Sequence, residues 1–136
     1  MTNFAGSQID HLNIAVPDLS GSARFYEAAL APLGITKVLD VPADPAADQL
    51  AMVGLGWGDR KPFFWLVENG AVGAGVHLAF TASSHAEVDA FHAAAVAAGA
   101  TSLREPGLQP EYHADYYGAF VSDPNGIDLE AVCHGA

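Results

Sequence analysis

Basic residues are the scarcest functional group in this chain. Five of its 136 residues are Lys or Arg against 16 Asp and Glu, a formal net charge of -11. So acidic a surface repels phosphate backbones and anionic lipid, which excludes nucleic acid and membrane surfaces as expected partners. It also leaves little material for a site that grips a doubly charged phosphate, where several cations must converge. Cysteine is nearly absent. The single Cys133 rules out an internal disulfide framework and any Cys-based zinc cluster. No apolar run approaches membrane-spanning length, despite a mean hydropathy of +0.20. The first ten residues lack a basic start followed by an apolar stretch, so no secretory signal is expected and the expected location is cytoplasmic. What the chain does have is 51% hydrophobic residues, a globular composition over the length of one domain.

Within that length lies a repeat. Residues 10–16 read DHLNIAV and residues 76–82 read VHLAFTA. A shift of 66 places His11 on His77, Leu12 on Leu78 and Phe25 on Phe91, with Gly34 falling near Gly99. Each copy reads as a His-Leu strand, a polar turn, a helix with a central Phe and a glycine stop. The first strand spans about 9–16, with Leu12, Ile14 and Val16 on one face and His11, Asn13 and Ala15 on the other. Helices are expected near 19–33 and 85–98, the second opened by a Ser84–Glu87 capping box. Three strands follow each helix, near 35–41, 49–56 and 62–68 in the first half and near 101–105, 116–122 and 126–133 in the second. Asp123-Pro124-Asn125-Gly126 marks the last hairpin turn. Segments 42–48 and 106–115 read as surface loops. The expected architecture is α+β: one domain over 1–136, built of two βαβββ modules at about 8–70 and 75–134, whose curled mixed sheets enclose a cavity.

Strand parity then sorts the chemistry. If Leu12, Ile14 and Val16 pack under their helix, His11 points the other way, and the same holds for His77. In the last strand Leu129 belongs with the helices, which turns Glu130 toward the concave side. Two imidazoles and one carboxylate form a ligand set for one divalent ion of Zn, Fe, Mn, Ni or Co, with positions left open for water and substrate. Each ligating ring needs a further bond through its second nitrogen, for which Asn13 and Asp128 are the neighbours.

The run His-Leu-Asn-Ile-Ala-Val-Pro-Asp-Leu, with Ser22, Phe25-Tyr26, the second His-Leu at 77–78, the Asp123–Gly126 turn and Leu129-Glu130, resembles the vicinal oxygen chelate superfamily. Its members include glyoxalase I, extradiol dioxygenases, fosfomycin-resistance thiol transferases and bleomycin-resistance proteins. The resemblance implies a cavity commonly completed in a homodimer, with His11, His77 and Glu130 matching three of the family's ligand positions. The fourth position falls on Phe64 or Trp65, which cannot ligate, so the set departs from that of glyoxalase I. It is like that of the dioxygenases and fosfomycin-resistance enzymes. A dioxygenase-like site adds an acid–base His and Tyr, for which His113 and Tyr117 are the catalytic candidates and Tyr112, Tyr116 and Trp65 the substrate contacts. The expected function is metal-dependent lyase, isomerase or dioxygenase chemistry on a small oxygen-chelating substrate. The alternative is a non-catalytic protein of the same fold that sequesters a small molecule such as an antibiotic.

The remaining features read as structural. Gly54-Leu55-Gly56-Trp57-Gly58 lacks dinucleotide-fingerprint spacing and reads as a tight strand end. His85 and His92 lie on the second helix, His134 lies near the end of the chain, and Cys133 falls on the helix-facing side as a buried thiol.

Overall fold

A computed structural model describes residues 9–57, 61–73 and 75–135. Both halves follow one order. The first has β1 (Leu12–Ala15), α1 (Leu19–Leu30), β2 (Ile35–Val41), β3 (Met52–Trp57) and β4 (Phe64–Val67). The second has β5 (His77–Thr81), α2 (His85–Ala97), β6 (Thr101–Leu108), β7 (Tyr117–Ser122) and β8 (Asp128–Cys133). The sheets run β1-β4-β3-β2 and β5-β8-β7-β6, so the repeat seen in the sequence is a repeat of topology. In each, the first strand pairs in parallel with the last and the other neighbours are antiparallel. These are two βαβββ modules of an α+β fold. Among the described residues, no helix is long and apolar enough to cross a membrane.

Helix α1 packs on the first sheet, α2 on the second, and the helices pack on each other. Alternation decides which strand residues they cover. Phe64, Leu66, Val53 and Leu55 are buried in the first half, and Ala119, Val121, Leu129, Ala131 and Cys133 in the second. The opposite face of each sheet forms an open hollow. Val16 and Ile14 join the core, whereas Leu12, of the same parity but at the strand's start, is exposed.

Local signals explain the helix ends. Asp18 caps α1 by accepting from the Gly21 N–H. Regular helix stops at Leu30, earlier than the expected 33, because Pro32 has no N–H to continue the ladder. One 3₁₀ turn, Ala31–Leu33, finishes it, and Gly34 closes the turn at φ 81°. Ser84 caps α2 through the Glu87 N–H, while the Glu87 carboxylate reaches back to the N–H and hydroxyl of Ser83.

One loop reading is corrected. β6 continues through Pro106 to Leu108, where 106–115 had read as loop, because β6 is an edge strand and Pro there forfeits no ladder bond. Gly54 and Gly56 lie in the last four residues of β3, which ends at Trp57 within the glycine run as expected. A Cβ on Gly54 would meet the Trp65 ring at 2.8 Å, and one on Gly56 the Lys61 carbonyl at 2.9 Å.

The two modules are stitched at the last hairpin. Asp123 accepts from the N–H groups of Asn125 and Ile127 through Oδ1, and from the buried Tyr26 hydroxyl of α1 through Oδ2 at 2.6 Å. Asn125 donates to Ser22, also on α1. The turn legible in the sequence therefore also anchors β8, the strand that carries Glu130.

Candidate active site

The hollow of the second sheet measures about 450 Å³ and is lined by His77, Leu103, Arg104, Tyr112, Tyr116, Phe120, Asp128 and Glu130. Glu130 lies at its floor with 2% of its surface exposed. One carboxylate oxygen, Oε1, is 3.1 Å from His77 Nε2. The other, Oε2, accepts from the Tyr116 hydroxyl. The second His77 nitrogen, Nδ1, lies 3.2 Å from Asp128 Oδ2. His77 thus faces a carboxylate from each nitrogen. A neutral imidazole carries one N–H, so one of these contacts sets lone pair against lone pair unless a second proton or a cation intervenes. Asp128 Oδ1 is buried with no hydrogen-bond partner among the described residues.

Tyr116 is wedged among rings. Its centroid lies 4.7 Å from that of Tyr112, 5.4 Å from His113 and 5.3 Å from His134. Burial, and then the Glu130 hydrogen bond, push its pKa well above the usual phenol range, so it stays a donor. Gly118 makes the space. A Cβ there would stand 3.0 Å from Glu130 Oε2 and 3.2 Å from Tyr116 Cε1.

His11 occupies different ground. It lines the hollow of the first sheet with Asp10, Asn13, Lys61 and Trp65. Its Nδ1 lies 2.8 Å from Asp10 Oδ2, and Lys61 Nζ reaches the same oxygen at 2.5 Å. The Lys61 bond, then His11, hold the Asp10 carboxyl below its usual range. The ring partners are therefore Asp128 for His77 and Asp10, rather than Asn13, for His11. Among the described residues, no group of three or more His, Cys, Asp or Glu side chains assembles within one chain in a way that could hold a metal ion.

The loop candidates divide. Tyr112 and Tyr116 line the second hollow. Tyr117 does not. It shares the helix-facing side of β7 with Ala119 and Val121, its hydroxyl donates to Asp89 on α2 at 2.7 Å, and its ring stacks on His85 at 3.8 Å. His113 sits beside Tyr116. Its Nδ1 accepts from the Asp115 N–H, which leaves Nε2–H to donate to His134 Nδ1 at 2.9 Å. Burial, then His113, lowers the His134 pKa. Trp65 lines the first hollow beside His11. His92 bonds Ser102, and Cys133 is buried.

Arg104, Phe120, Leu103 and Gly118 were not singled out by the sequence reading. Phe120 and Gly118 follow from Glu130 by register, since Phe120 pairs with Glu130 and Gly118 with Val132, both facing the hollow. That inference requires the face of β7, which alternation alone leaves open.

The comparisons agree with this architecture. Residues 8–131 match the model of the Glyoxalase/Bleomycin resistance protein/Dioxygenase superfamily, and the chain belongs to that superfamily. A glyoxalase/bleomycin resistance protein from Albidiferax ferrireducens is 31% identical, with 93% of this chain and 99% of that one covered and a TM-score of 0.71. Glyoxalase I from Zea mays, solved as a mutant, is similar in fold at 24% identity and TM-score 0.69. The match covers 91% of this chain and 46% of that one. A genomically encoded fosfomycin resistance protein from Listeria monocytogenes shares the fold at 14% identity and TM-score 0.65, with 93% and 91% covered. No functionally curated protein matches the chain.

Proposed function

We propose that the protein is a metal-dependent enzyme that binds a small molecule through two vicinal oxygens and works as a homodimer. His77 and Glu130 of one copy and His11 of the other would hold one divalent ion. The observation that carries this reading is the 3.1 Å separation of His77 Nε2 and Glu130 Oε1 at the floor of an open hollow. Metal–ligand bonds of about 2.1 Å at right angles place adjacent donors about 3 Å apart, so the pair fits two neighbouring positions on one ion. A cation there also relieves the facing lone pairs.

The third donor is argued from the fold. In one chain His11 and His77 start equivalent strands but line separate hollows. Among the described residues β1 is hydrogen-bonded only to β4 and β5 only to β8, so each is the outer strand, at the edge of its sheet. Ile9 and Leu12 lie exposed beside the first of these edges. A second copy related by a twofold axis would set β1 beside the other chain's β5, turning two shallow hollows into one cavity. His11 then faces His77 and Glu130 across it.

A divalent ion bound there supplies Lewis acidity to chelated substrate oxygens. The chain's own groups do the rest. Asp128 fixes the His77 ring, leaving Nε2 directed at the cavity. The Tyr116 hydroxyl holds Glu130 Oε2, so Oε1 keeps its aim. Tyr112 and Tyr116, their rings tilted 49° to each other, supply an aromatic wall that excludes water from one side of a ligand.

The test is metal analysis after reconstitution with Fe, Mn, Ni, Co and Zn in turn. One ion per chain is expected, and His77→Ala should abolish uptake without unfolding the protein. Metal content near zero, or unchanged in the variant, removes the assignment and leaves the small-molecule sequestration reading in its place.

A further inference from the structure

We propose that the substrate carries a carboxylate at the end remote from its chelating oxygens, and that Arg104 is the residue that grips it. This deepens the reading of His77 and Glu130 as metal ligands and rests on it. Register supplies one argument. Ala79, Glu130, Phe120 and Arg104 form one row across β5, β8, β7 and β6. Strands lie about 4.8 Å apart, so Arg104 starts about 10 Å from Glu130, with the Phe120 ring between them. A small ligand bound to the metal pair extends along this row toward the guanidinium.

Arg104 is also held in place by its neighbours. Its guanidinium lies over the Phe120 ring at 5.3 Å, and His77 stacks on the same ring at 6.2 Å. Arg104 Nη1 donates to Gln109 Oε1 at 2.7 Å and to Glu111 Oε2 at 2.9 Å. Gln109 is only 9% exposed, and its backbone N–H is tied to the Tyr116 carbonyl at 2.7 Å. A buried amide fixed to the tyrosine loop therefore sets the arginine's orientation. Those two bonds use both Nη1 hydrogens. Nε and Nη2 make no hydrogen bond among the described residues, and their N–H groups form the fork that takes a carboxylate in two parallel bonds.

Charge narrows the ligand. Among the described residues lining the hollow, Arg104 is the one Lys or Arg, against Asp128 and Glu130. Glu111 on the rim already offsets part of its charge. A phosphate or phosphonate dianion needs more cations than that, whereas a single carboxylate is matched by one guanidinium.

Two probes isolate the effect: catechol, which chelates through vicinal oxygens, and 3,4-dihydroxybenzoate, which adds a carboxylate at the far end. Their binding to the Co²⁺-reconstituted protein is measured by calorimetry. The carboxylate should improve affinity about tenfold or more, the worth of a charge-assisted contact. Arg104→Gln should erase that preference while leaving catechol affinity unchanged, which also shows that the variant is folded. Equal binding of the two probes, or a preference that survives in Arg104→Gln, overturns the proposal and leaves the metal site standing. Binding of neither probe to protein that holds Co²⁺ overturns the reading of a substrate chelated through vicinal oxygens and this proposal together.

Discussion

Tyr116 donates its hydroxyl to Oε2 of Glu130, the oxygen that does not face His77. The bond joins a loop to the floor of the hollow and leaves the second carboxylate oxygen facing His77, where the proposed ion would sit. Tyr116→Phe should keep the fold, because the ring contacts with Tyr112, His113 and His134 need no hydroxyl. Metal affinity should fall by about 10–100-fold, the usual effect of losing a group that orients a ligand. A Co²⁺ competition titration against a chromophoric chelator reads this directly. An unchanged affinity would show that Glu130 needs no orienting partner.

Gly118 should be as sensitive as Tyr116 for a different reason. The methyl of Gly118→Ala would meet Glu130 Oε2 at 3.0 Å, Tyr116 Cε1 at 3.2 Å and the Ala131 carbonyl at 3.4 Å. The backbone cannot retreat inside the β7–β8 ladder, so the carboxylate and the tyrosine ring must give. Overpacking of this kind costs about 1–3 kcal/mol in stability. The larger loss is expected in metal uptake, since the displaced atom belongs to the proposed ligand Glu130. Denaturant melts and metal content measured on the same preparation separate the two effects. A variant that melts lower yet binds metal normally contradicts the placement of Glu130.

Much of the fold was legible from the sequence because each half repeats the same signals. His-Leu at 11–12 and 77–78, Phe25 and Phe91, and the Asp123–Gly126 turn gave the module count, the helix positions and the last hairpin. Alternation turned Glu130 from the helices correctly, since Leu129 had to be buried. It failed where one face is not marked by burial. Tyr116 and Tyr117 are both partly buried aromatics at the start of β7, and nothing local distinguishes the one that meets Glu130 from the one that meets Asp89. Parity also fixes a face and not a position in space, so it brought His11 and His77 to the same kind of surface without placing them on the same sheet. Arg104 lay beyond reach because bulges at Ser102/Arg104 and Arg104/Gly107 interrupt the β6 register.

The tyrosine pair gives a contrasting prediction. Tyr117→Phe removes one hydrogen bond, to the Asp89 carboxylate on the surface of α2. That bond, chief among the causes, raises the Tyr117 pKa, and it turns the hydroxyl toward α2 rather than into the hollow. The stability loss should be about 1 kcal/mol or less, and metal content should not change. Thermal melting with metal analysis checks both. Loss of metal in Tyr117→Phe would mean that β7 presents its other face to the hollow.

Tyr26→Phe tests the stitch between the modules. The Tyr26 hydroxyl is wholly buried, and desolvation, then Asp123, raises its pKa far above the usual phenol range, so it donates at every working pH. Its loss leaves Asp123 Oδ2 without that donor in an interior position. The expected cost is about 1.5–3 kcal/mol, read as a shift in the denaturation midpoint at constant slope. Because the turn anchors β8, metal affinity should fall modestly with it. A neutral substitution would show that water replaces the phenol and that the modules are held mainly by α1 against α2.

The proposed dimer admits a test that no single-chain site can pass. His11→Ala and His77→Ala chains each lack one ligand at every site, so neither homodimer should hold stoichiometric metal. Unfolded together in equal amounts and refolded, half the dimers pair one chain of each kind. In such a pair the two defects fall in the same cavity, and the other cavity regains His11 from one chain with His77 and Glu130 from its partner. Random pairing predicts recovery of about a quarter of the wild-type metal content. Leu12→Asp, which places a charge beside the open β1 edge, should prevent recovery by keeping the chains apart, and sedimentation should then give the monomer mass. If the two variants recover nothing on mixing while the wild type sediments as a dimer, His11 does not serve the partner's site.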